Sequence, residues 1–212
     1  MANAGYLPGP ARRQQIVDSA KRVFAARGYH QTNISHICDD LGIGRGTLYQ
    51  YFGSKQDVFR AIIESLLERV REAIASAPVP AVPEGVLPTR GETELFFAIS
   101  LRRLLDVVFE DEASLRILFR EAVGLDVHVD AILQAIDDIV IDRFSSDLEI
   151  GKRAGIVRPD IDTRAAALYA MGGIEKLALF AIRRGHKLDI DAIVRETSRM
   201  TMNGLLAEEV KP

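Results

Sequence analysis

Apolar residues recur at helical spacing along most of the chain. In residues 11–27, Ile16, Ala20 and Phe24 fall on one side of a helix, and Gly28 follows as its C-terminal cap. No segment shows the alternation of apolar and polar residues that is typical of a strand. The pattern therefore predicts an all-α protein of about nine helices.

Two short helices are predicted soon after the first one. The earlier helix begins at a Thr32 or Asn33 cap, has one apolar face and ends at Gly42. The later helix carries Leu48 and Phe52, which are four positions apart and give it a single apolar face. Two short helices joined by so tight a turn predict a helix-turn-helix.

The other side of the later helix is rich in hydrogen-bond donors and aromatic rings. Such a face suits the major groove of DNA, where short side chains allow close approach and longer ones reach base edges. Periodicity leaves a second interpretation open, a helical hairpin whose polar face is only solvated. The residues of this face are Arg45, Gly46, Thr47, Tyr49, Gln50 and Tyr51.

The rest of the chain also predicts helices. Ser54 caps a fourth helix that runs to about Ser76, and prolines and glycines in 77–91 predict an extended connection. Residues 164–182 are apolar almost all round, so this helix must be covered on several sides, within a monomer or by a second subunit. Further helices are expected at 92–109, 112–124, 128–154, 163–184 and 190–207.

Charge is divided unevenly along the chain. Residues 1–60 hold eight Lys and Arg against four Asp and Glu, whereas residues 61–212 hold nineteen against twenty-six. This asymmetry is expected of a protein in which a small basic DNA-binding domain, the head, precedes a larger acidic regulatory domain, the body. The N-terminus has no secretory pattern and no segment reaches the roughly 18 uninterrupted apolar residues of a membrane span, so we expect a cytoplasmic protein without membrane contact.

The residues that support catalysis or metal binding are scattered. The four histidines have no partner at zinc-ligand spacing, and neither a phosphate loop nor a nucleophile elbow occurs. Asp126 and His128 lie in one loop and are the nearest approach to a metal or ligand site. A polar loop exposed to solvent accounts for both residues without a ligand. Cys38 lies on an inward face and is interpreted as a small core residue rather than a redox sensor. We expect no enzyme activity, cofactor or metal.

Residues 28–32, the Leu41-Gly42-Ile43 turn and above all the run Gly46-Thr47-Leu48-Tyr49-Gln50-Tyr51-Phe52-Gly53-Ser54-Lys55 resemble the DNA-binding domain of TetR-type transcriptional regulators. The match runs without a gap from about Arg12 to Phe59. It implies a three-helix head at 11–53, preceded by a loose arm at 1–10. A larger helical domain for ligand binding and dimerisation follows at 54–212.

The resemblance also implies how DNA is held. Arg45 matches the position of a base reader, whose commonest partner is guanine. Gly44 departs from the family pattern, because a serine cap is common there, and we leave it out of the predicted contacts. The predicted DNA-binding residues are Thr32, Asn33, Arg45, Gly46, Thr47, Tyr49, Gln50, Tyr51 and Lys55, of which Thr47, Tyr49 and Lys55 match phosphate contacts.

A regulator of this kind is expected to be a homodimer on a palindromic operator of double-stranded DNA, usually a repressor released by a small effector. An apolar or amphipathic effector would bind among Phe96, Phe97, Leu104, Phe109, Leu118, Arg120, Phe144, Tyr169 and Glu175, although any of these residues can be plain core. The last two helices would pair with their copies through Ala166, Tyr169, Ala170, Gly173, Val194, Met200 and Leu205.

Two functions of other classes remain open from the residues alone. The chain can be a helical carrier or enzyme for a small apolar molecule, in which the helix-turn-helix is only a packing element. It can also be a helical adaptor that binds protein alone. A carrier or enzyme needs a reactive polar cluster in the body, and an adaptor lacks salt-sensitive affinity for DNA.

Overall fold

The protein is described by a computed structural model that covers residues 9–77, 88–109, 113, 116–185 and 188–205. These residues form no β-strand, and the predicted all-α fold is confirmed. The helices are α1 (Gly9–Arg27), α2 (Ile34–Leu41), α3 (Arg45–Tyr49), α4 (Lys55–Ala75), α5 (Arg90–Val108), a π-helical segment (Ile117–Glu121), α6 (Val127–Arg153), α7 (Thr163–Arg184) and α8 (Ile190–Leu205).

Some predicted features fall outside the described residues. Positions 1–8 of the predicted arm and 78–87 of the predicted connection are among them. The helix predicted at 112–124 is described only in part, and within it the segment from Ile117 is π-helical, with the Ala122 N–H donating to the Ile117 carbonyl over 2.9 Å. A π-helical turn is rare and is often found at functional sites.

The helices group into two compact units, of which unit 1 comprises Met1–Glu68 and Phe109–Gln134. Its core centres on Phe59, whose ring lies 5.3 Å from that of Phe24 and 5.0 Å from that of Tyr29, both in edge-on geometry. The sequence interpretation assigned 109–134 to the C-terminal domain. In the structure Ile117 and Val129 are at most 1% exposed and pack into this N-terminal core.

The helix-turn-helix of unit 1 is closed by local hydrogen bonds. Asn33, one of the two predicted caps, accepts the His36 N–H on its side chain over 3.2 Å, and His36 Nδ1 accepts the Asn33 N–H over 3.3 Å. Gly42 ends α2 with φ of 70°, a left-handed conformation that glycine adopts without strain. Leu48 on α3 and Phe52 just after it are 0% and 4% exposed and belong to the same core as buried residues of α1 and α2.

Unit 2 comprises Arg69–Val108 and Ala135–Pro212. In it α5 packs along α8, and the Arg102 and Arg90 side chains bond from α5 to Asp191 and Asn203 of α8. A second core forms around Leu148 and Met202, against which Phe97 and Phe144 pack. Glycine at position 151 allows close packing, because a Cβ there would lie 2.6 Å from a methyl carbon of Val157 and would force a shift.

Helix α7 keeps much of its apolar surface exposed. Only Thr163, Ala167, Ala178 and Ala181 are buried along its 22 residues. By length and composition the helix is apolar enough to cross a membrane, although only 17% of its apolar window is buried within the chain. Its exposed large apolar residues are Leu168 at 50%, Tyr169 at 81%, Leu177 at 48% and Phe180 at 54%.

Candidate nucleic-acid interface

The exposed side of α3 forms the candidate interface. Arg45, Gly46 and Gln50 are exposed, and Tyr49 has 53% of its surface accessible. Because Leu48 is completely buried, α3 is anchored on the opposite side and presents these residues outward. Within α3 the structure thus has a buried side at Leu48 and an exposed side at Arg45, Gly46 and Tyr49.

Arg45 is held by a neighbour on α2. Its Nη2 atom donates a hydrogen bond of 2.6 Å to Ser35 Oγ. The guanidinium has five N–H donors, so this bond leaves the others available for an external acceptor. The sequence pattern indicated Arg45 but not that Ser35 is its partner.

Gly46 is not required by the protein's own packing. A Cβ built on this residue would have no atom of another group within 4 Å, and its φ lies outside the left-handed region. Glycine in a helix costs up to about 1 kcal/mol relative to alanine. The fold therefore gives no reason for glycine here, whereas close approach to an external surface does.

The α1–α2 turn places Thr32 differently from Asn33. Thr32 is 2% exposed, and its hydroxyl donates to the Gly28 carbonyl over 2.8 Å. Asn33 is exposed at the start of α2, where its side chain serves as the cap. Of the two residues, only Asn33 presents polar atoms at the surface of this chain.

Lys55 lies inside a set of backbone carbonyls. Its Nζ donates to the carbonyls of Tyr29 and Thr32, each over 2.8 Å, and lies 4.1 Å from the centroid of the Tyr29 ring. Burial lowers the pKa of the Lys55 ammonium. The phosphate contact of Lys55 stays a prediction, and a phosphate would have to share the ammonium with these carbonyls.

The remaining predicted contacts lie around the same face. Thr47 and Tyr51 are half-buried, and the Tyr51 ring packs against the core of unit 1.

Asp40, an acidic residue of α2, faces away from this side, toward α1. It accepts hydrogen bonds from Ser19 over 2.7 Å and from Arg22 over 2.8 Å. The bond from Ser19, and then that from Arg22, hold the pKa of Asp40 below its usual value despite some desolvation.

The family described as bacterial regulatory proteins, tetR family, matches residues 16–62, which contain α2, α3 and the interface. Curated regulators match over most of their length. The transcriptional activator FasR of Mycolicibacterium smegmatis is 25% identical over 94% of this chain and 85% of its own, and the repressor KstR2 of Rhodococcus jostii is 25% identical over 92% and 91%. The chain belongs to the TetR family of transcriptional regulators.

Solved transcriptional regulators share the fold over almost the entire chain. The regulator FadR of Bacillus subtilis, in complex with stearoyl-CoA, superposes with a TM-score of 0.71 at 22% identity and covers 90% of this chain and 98% of its own. Because the similarity extends over most of both chains, it includes the helices that follow the head. The helices of this chain that follow the head therefore share the fold of that solved regulator.

Cys38, the single cysteine of this TetR-family chain, is buried and 3% exposed. Burial, followed by the charge of nearby Asp39, raises the pKa of its thiol. A thiol that is buried and protonated is unreactive. The geometry fits the interpretation of Cys38 as a core residue.

Glu121, which lies at the end of the π-helical segment, was not indicated by any sequence pattern. Its Oε2 accepts the Tyr29 N–H over 2.7 Å, across 92 positions of sequence. The same carboxylate lies 3.5 Å from where a Cβ of Gly28 would be, and Gly28 has φ of 82°. Glu121 and Lys55 therefore hold the α1–α2 turn through Tyr29 from two separate parts of the chain.

The predicted ligand residues divide between the two units. In unit 1, Phe109 is buried and its ring lies 6.3 Å from that of Phe119, Leu118 is half-buried and Arg120 is exposed. In unit 2, the rings of Phe97 and Phe144 lie 5.2 Å apart. Also in unit 2, Phe96 and Leu104 are half-buried, and Tyr169 and Glu175 are exposed.

A cleft of about 460 Å³ lies between α5 and α8 and contains none of the predicted ligand residues. Ser198 lines it with a buried hydroxyl that has no partner within the described residues. Its rim carries Glu94, Arg102 and Arg195. The mixed charges of this rim do not single out a ligand class.

The predicted dimer residues also differ in exposure. Tyr169 and Met200 are 81% and 70% exposed, and Gly173 is open, because a Cβ added there would have no atom within 4 Å. Ala166 is half-buried and packs against the core around Leu148. Ala170 and Val194 are half-buried, and the side chain of Leu205 lies outside the described residues.

Proposed function

We propose that the protein is a homodimer that binds a palindromic operator through two copies of the α2–α3 pair and leaves DNA when a small effector binds. The observation that carries this proposal is the outward face of α3, on which the exposed Arg45 adjoins Gly46, a glycine that the fold does not need, with Gln50 exposed at the end of the helix. Helices with this arrangement fit the major groove. Bacterial transcription takes place in the cytoplasm, which is where we place the protein.

Arg45 has the chemistry of the principal base reader. An arginine can donate two hydrogen bonds to the O6 and N7 atoms of guanine, and each good pair of this kind discriminates by about 1–3 kcal/mol. Gly46 next to it lets the helix backbone approach the base pairs. Gln50 and Thr47 add a second base contact and a phosphate contact.

The exposed apolar surface of α7 supports the homodimer. Monomeric soluble proteins rarely expose large contiguous apolar patches, and such a surface normally marks an interface. Tyr169, Leu177 and Phe180 leave about half or more of their surfaces open in one chain. A two-fold dimer would place two reading helices about 34–36 Å apart, in successive major grooves.

An acyl-CoA thioester is the first effector to test. FadR of Bacillus subtilis was solved with stearoyl-CoA, and this chain shares its fold over 98% of that protein's length. The aromatic pair Phe97 and Phe144 is the kind of apolar lining that an acyl chain requires. The relatives include both a repressor and an activator. We propose repression relieved by ligand, because an effector that favours a different spacing of the heads lowers DNA affinity.

The DNA step is tested by titrating the purified protein with its own upstream intergenic DNA in increasing salt, against a scrambled duplex of equal length. We expect selective binding whose logarithm falls steeply with the logarithm of salt concentration. Arg45→Ala should cost about 1–3 kcal/mol and relax the preference at one base pair. Arg153→Ala, an exposed arginine on α6 in unit 2, is the matched control and should leave binding unchanged.

The effector step is tested on the same labelled operator with stearoyl-CoA, free CoA and free stearate. Release by the thioester alone, with a rise in the melting temperature of the protein, supports an acyl-CoA site. Release by stearate alone would move the proposal to a free fatty acid. If none of the three changes either quantity, the acyl effector is rejected while the DNA result stands.

A further inference from the structure

Helices α2 and α3 are joined by a side-chain hydrogen bond as well as by apolar packing. Ser35 lies in the first turn of α2, half-buried, and accepts the hydrogen bond from Arg45 Nη2 over 2.6 Å. The position of Ser35 is fixed from both directions. The Asn33–His36 box closes the start of the helix, and Ile37, completely buried, anchors its next turn.

The partner of Arg45 is a neutral hydroxyl. Arg22 in the same unit shows the contrast, because its guanidinium is paired with the Asp40 carboxylate over 2.8 Å and its charge is compensated. Among the described residues no ion pair is found for Arg45. A hydroxyl orients the guanidinium and leaves its full positive charge for an external acceptor, whereas a carboxylate would compete with that acceptor.

Orientation matters because the arginine side chain is long. The free side chain has many rotamers, and part of that conformational entropy is lost when the guanidinium is held against a base. A hydrogen bond already present in the free protein removes part of that cost. One donor is used by Ser35, so enough N–H groups remain for a two-bond contact with guanine.

We propose that Ser35 is a positioning residue for sequence recognition, which fixes the guanidinium of Arg45 in the orientation that reads a guanine. This inference rests on the proposed DNA-binding function. It assigns to α2 a part in specificity that acts through Arg45, without a contact between Ser35 and a base.

The test is a double-mutant cycle with Ser35→Ala, Arg45→Ala and the combined variant. Each is measured on the operator and on an operator in which the guanine recognised by Arg45 is replaced. Ser35→Ala should weaken operator binding about threefold to tenfold, the usual range for one hydrogen bond. It should have little effect on the altered operator and none in the Arg45→Ala background. Ser35→Thr keeps the hydroxyl and should restore affinity and base preference.

The outcomes separate this inference from the proposed function. If the unmodified protein binds no DNA selectively, the proposed function fails and the role of Ser35 fails with it. If it binds selectively but Ser35→Ala is equally harmful with Arg45 absent, and the salt slope falls, Ser35 holds a phosphate and the inference is overturned. An unchanged operator affinity in Ser35→Ala also overturns it. Equal melting temperatures of the variants exclude a folding defect.

Discussion

The two units of the molecule differ in how they bury their apolar side chains. In unit 1, Phe24, Leu48 and Phe59 are completely inaccessible, and their rings and methyl groups contact residues of the same chain. In unit 2, Leu168 and Tyr169 of α7 remain 50% and 81% exposed. Unit 1 therefore completes its core within one chain, whereas unit 2 leaves apolar side chains of α7 exposed in the single chain.

This difference predicts two kinds of mutational effect. A core substitution in the head removes contacts within one chain, so its cost should not depend on protein concentration. In the proposed homodimer, a substitution on the exposed face of α7 would remove contacts between chains, so its effect should appear in the association equilibrium. The largest loss of stability is expected for a substitution in the core of unit 1.

Phe59→Ala should destabilise unit 1 strongly. The ring is completely buried between Phe24 and Tyr29, and replacing a buried phenylalanine by alanine typically costs about 3–5 kcal/mol. Urea unfolding at two protein concentrations measures the loss. Leu95→Ala, at a site that is 61% exposed on α5, is the control and should change stability little. A loss below about 1 kcal/mol for Phe59→Ala would contradict this packing.

Leu177→Glu should separate the two subunits without unfolding either. The side chain is 48% exposed in one chain, so the charge is tolerated in a monomer but not in an apolar interface. Interface substitutions at central positions cost about 2–4 kcal/mol of association free energy. Light scattering after size exclusion should show a dimer for the parent protein and a monomer for the variant.

Leu95→Glu is the matched control for the same charge. Leu95 is also an exposed leucine of unit 2, but it lies on α5. This variant should remain dimeric. If both variants remain dimeric, α7 is not the interface, and if both become monomers the surface is wider than α7.

Local sequence signals predicted much of the head. The Asn33 cap, the left-handed Gly42 and the inward pair Leu48 and Phe52 all follow from residues a few positions apart. The apolar face of α7 was not predictable in the same way. Because that helix is apolar on all sides, its sequence has no period to show that Ala167 lies inward and Leu168 outward.

Contacts between distant parts of the chain were also beyond sequence reasoning. Glu121 bonds the Tyr29 N–H across 92 positions, and Lys55 reaches the Tyr29 carbonyl across 26. Neither residue type at these positions indicates a partner, because exposed Glu and Lys are common on helices. Only the folded chain shows that one turn of the head depends on both.

Glu121→Ala should lower the stability of unit 1 by an amount between the effects expected for Phe59→Ala and Gly46→Ala. Tyr29 is 5% exposed, so its N–H would be left without an acceptor, which costs about 1–3 kcal/mol. Glu121→Gln keeps a carbonyl oxygen and should lose less. Glu64→Ala, an exposed glutamate on α4 of the same unit, is the control. Thermal unfolding measures all three, and equal losses for Glu121→Ala and Glu64→Ala would show that the bond contributes nothing.

Gly46→Ala should have the smallest effect on stability and a clear effect on DNA. A Cβ at this position would meet no atom within 4 Å, and alanine favours a helix over glycine by up to about 1 kcal/mol. The variant should therefore unfold at the same temperature as the parent protein or slightly above it. Operator binding should nevertheless weaken, because the added methyl group would lie where α3 approaches the base pairs.

Gly91→Ala is the matched change in the body. Gly91 is likewise a helical glycine with no atom within 4 Å of a Cβ, but it lies on α5 of unit 2. Both substitutions should thus have similar, small effects on thermal unfolding, and only that at Gly46 should reduce affinity in the operator titration. If Gly46→Ala binds the operator as tightly as the parent protein, α3 does not approach DNA closely at this residue, and the reason for glycine must lie elsewhere than in the groove.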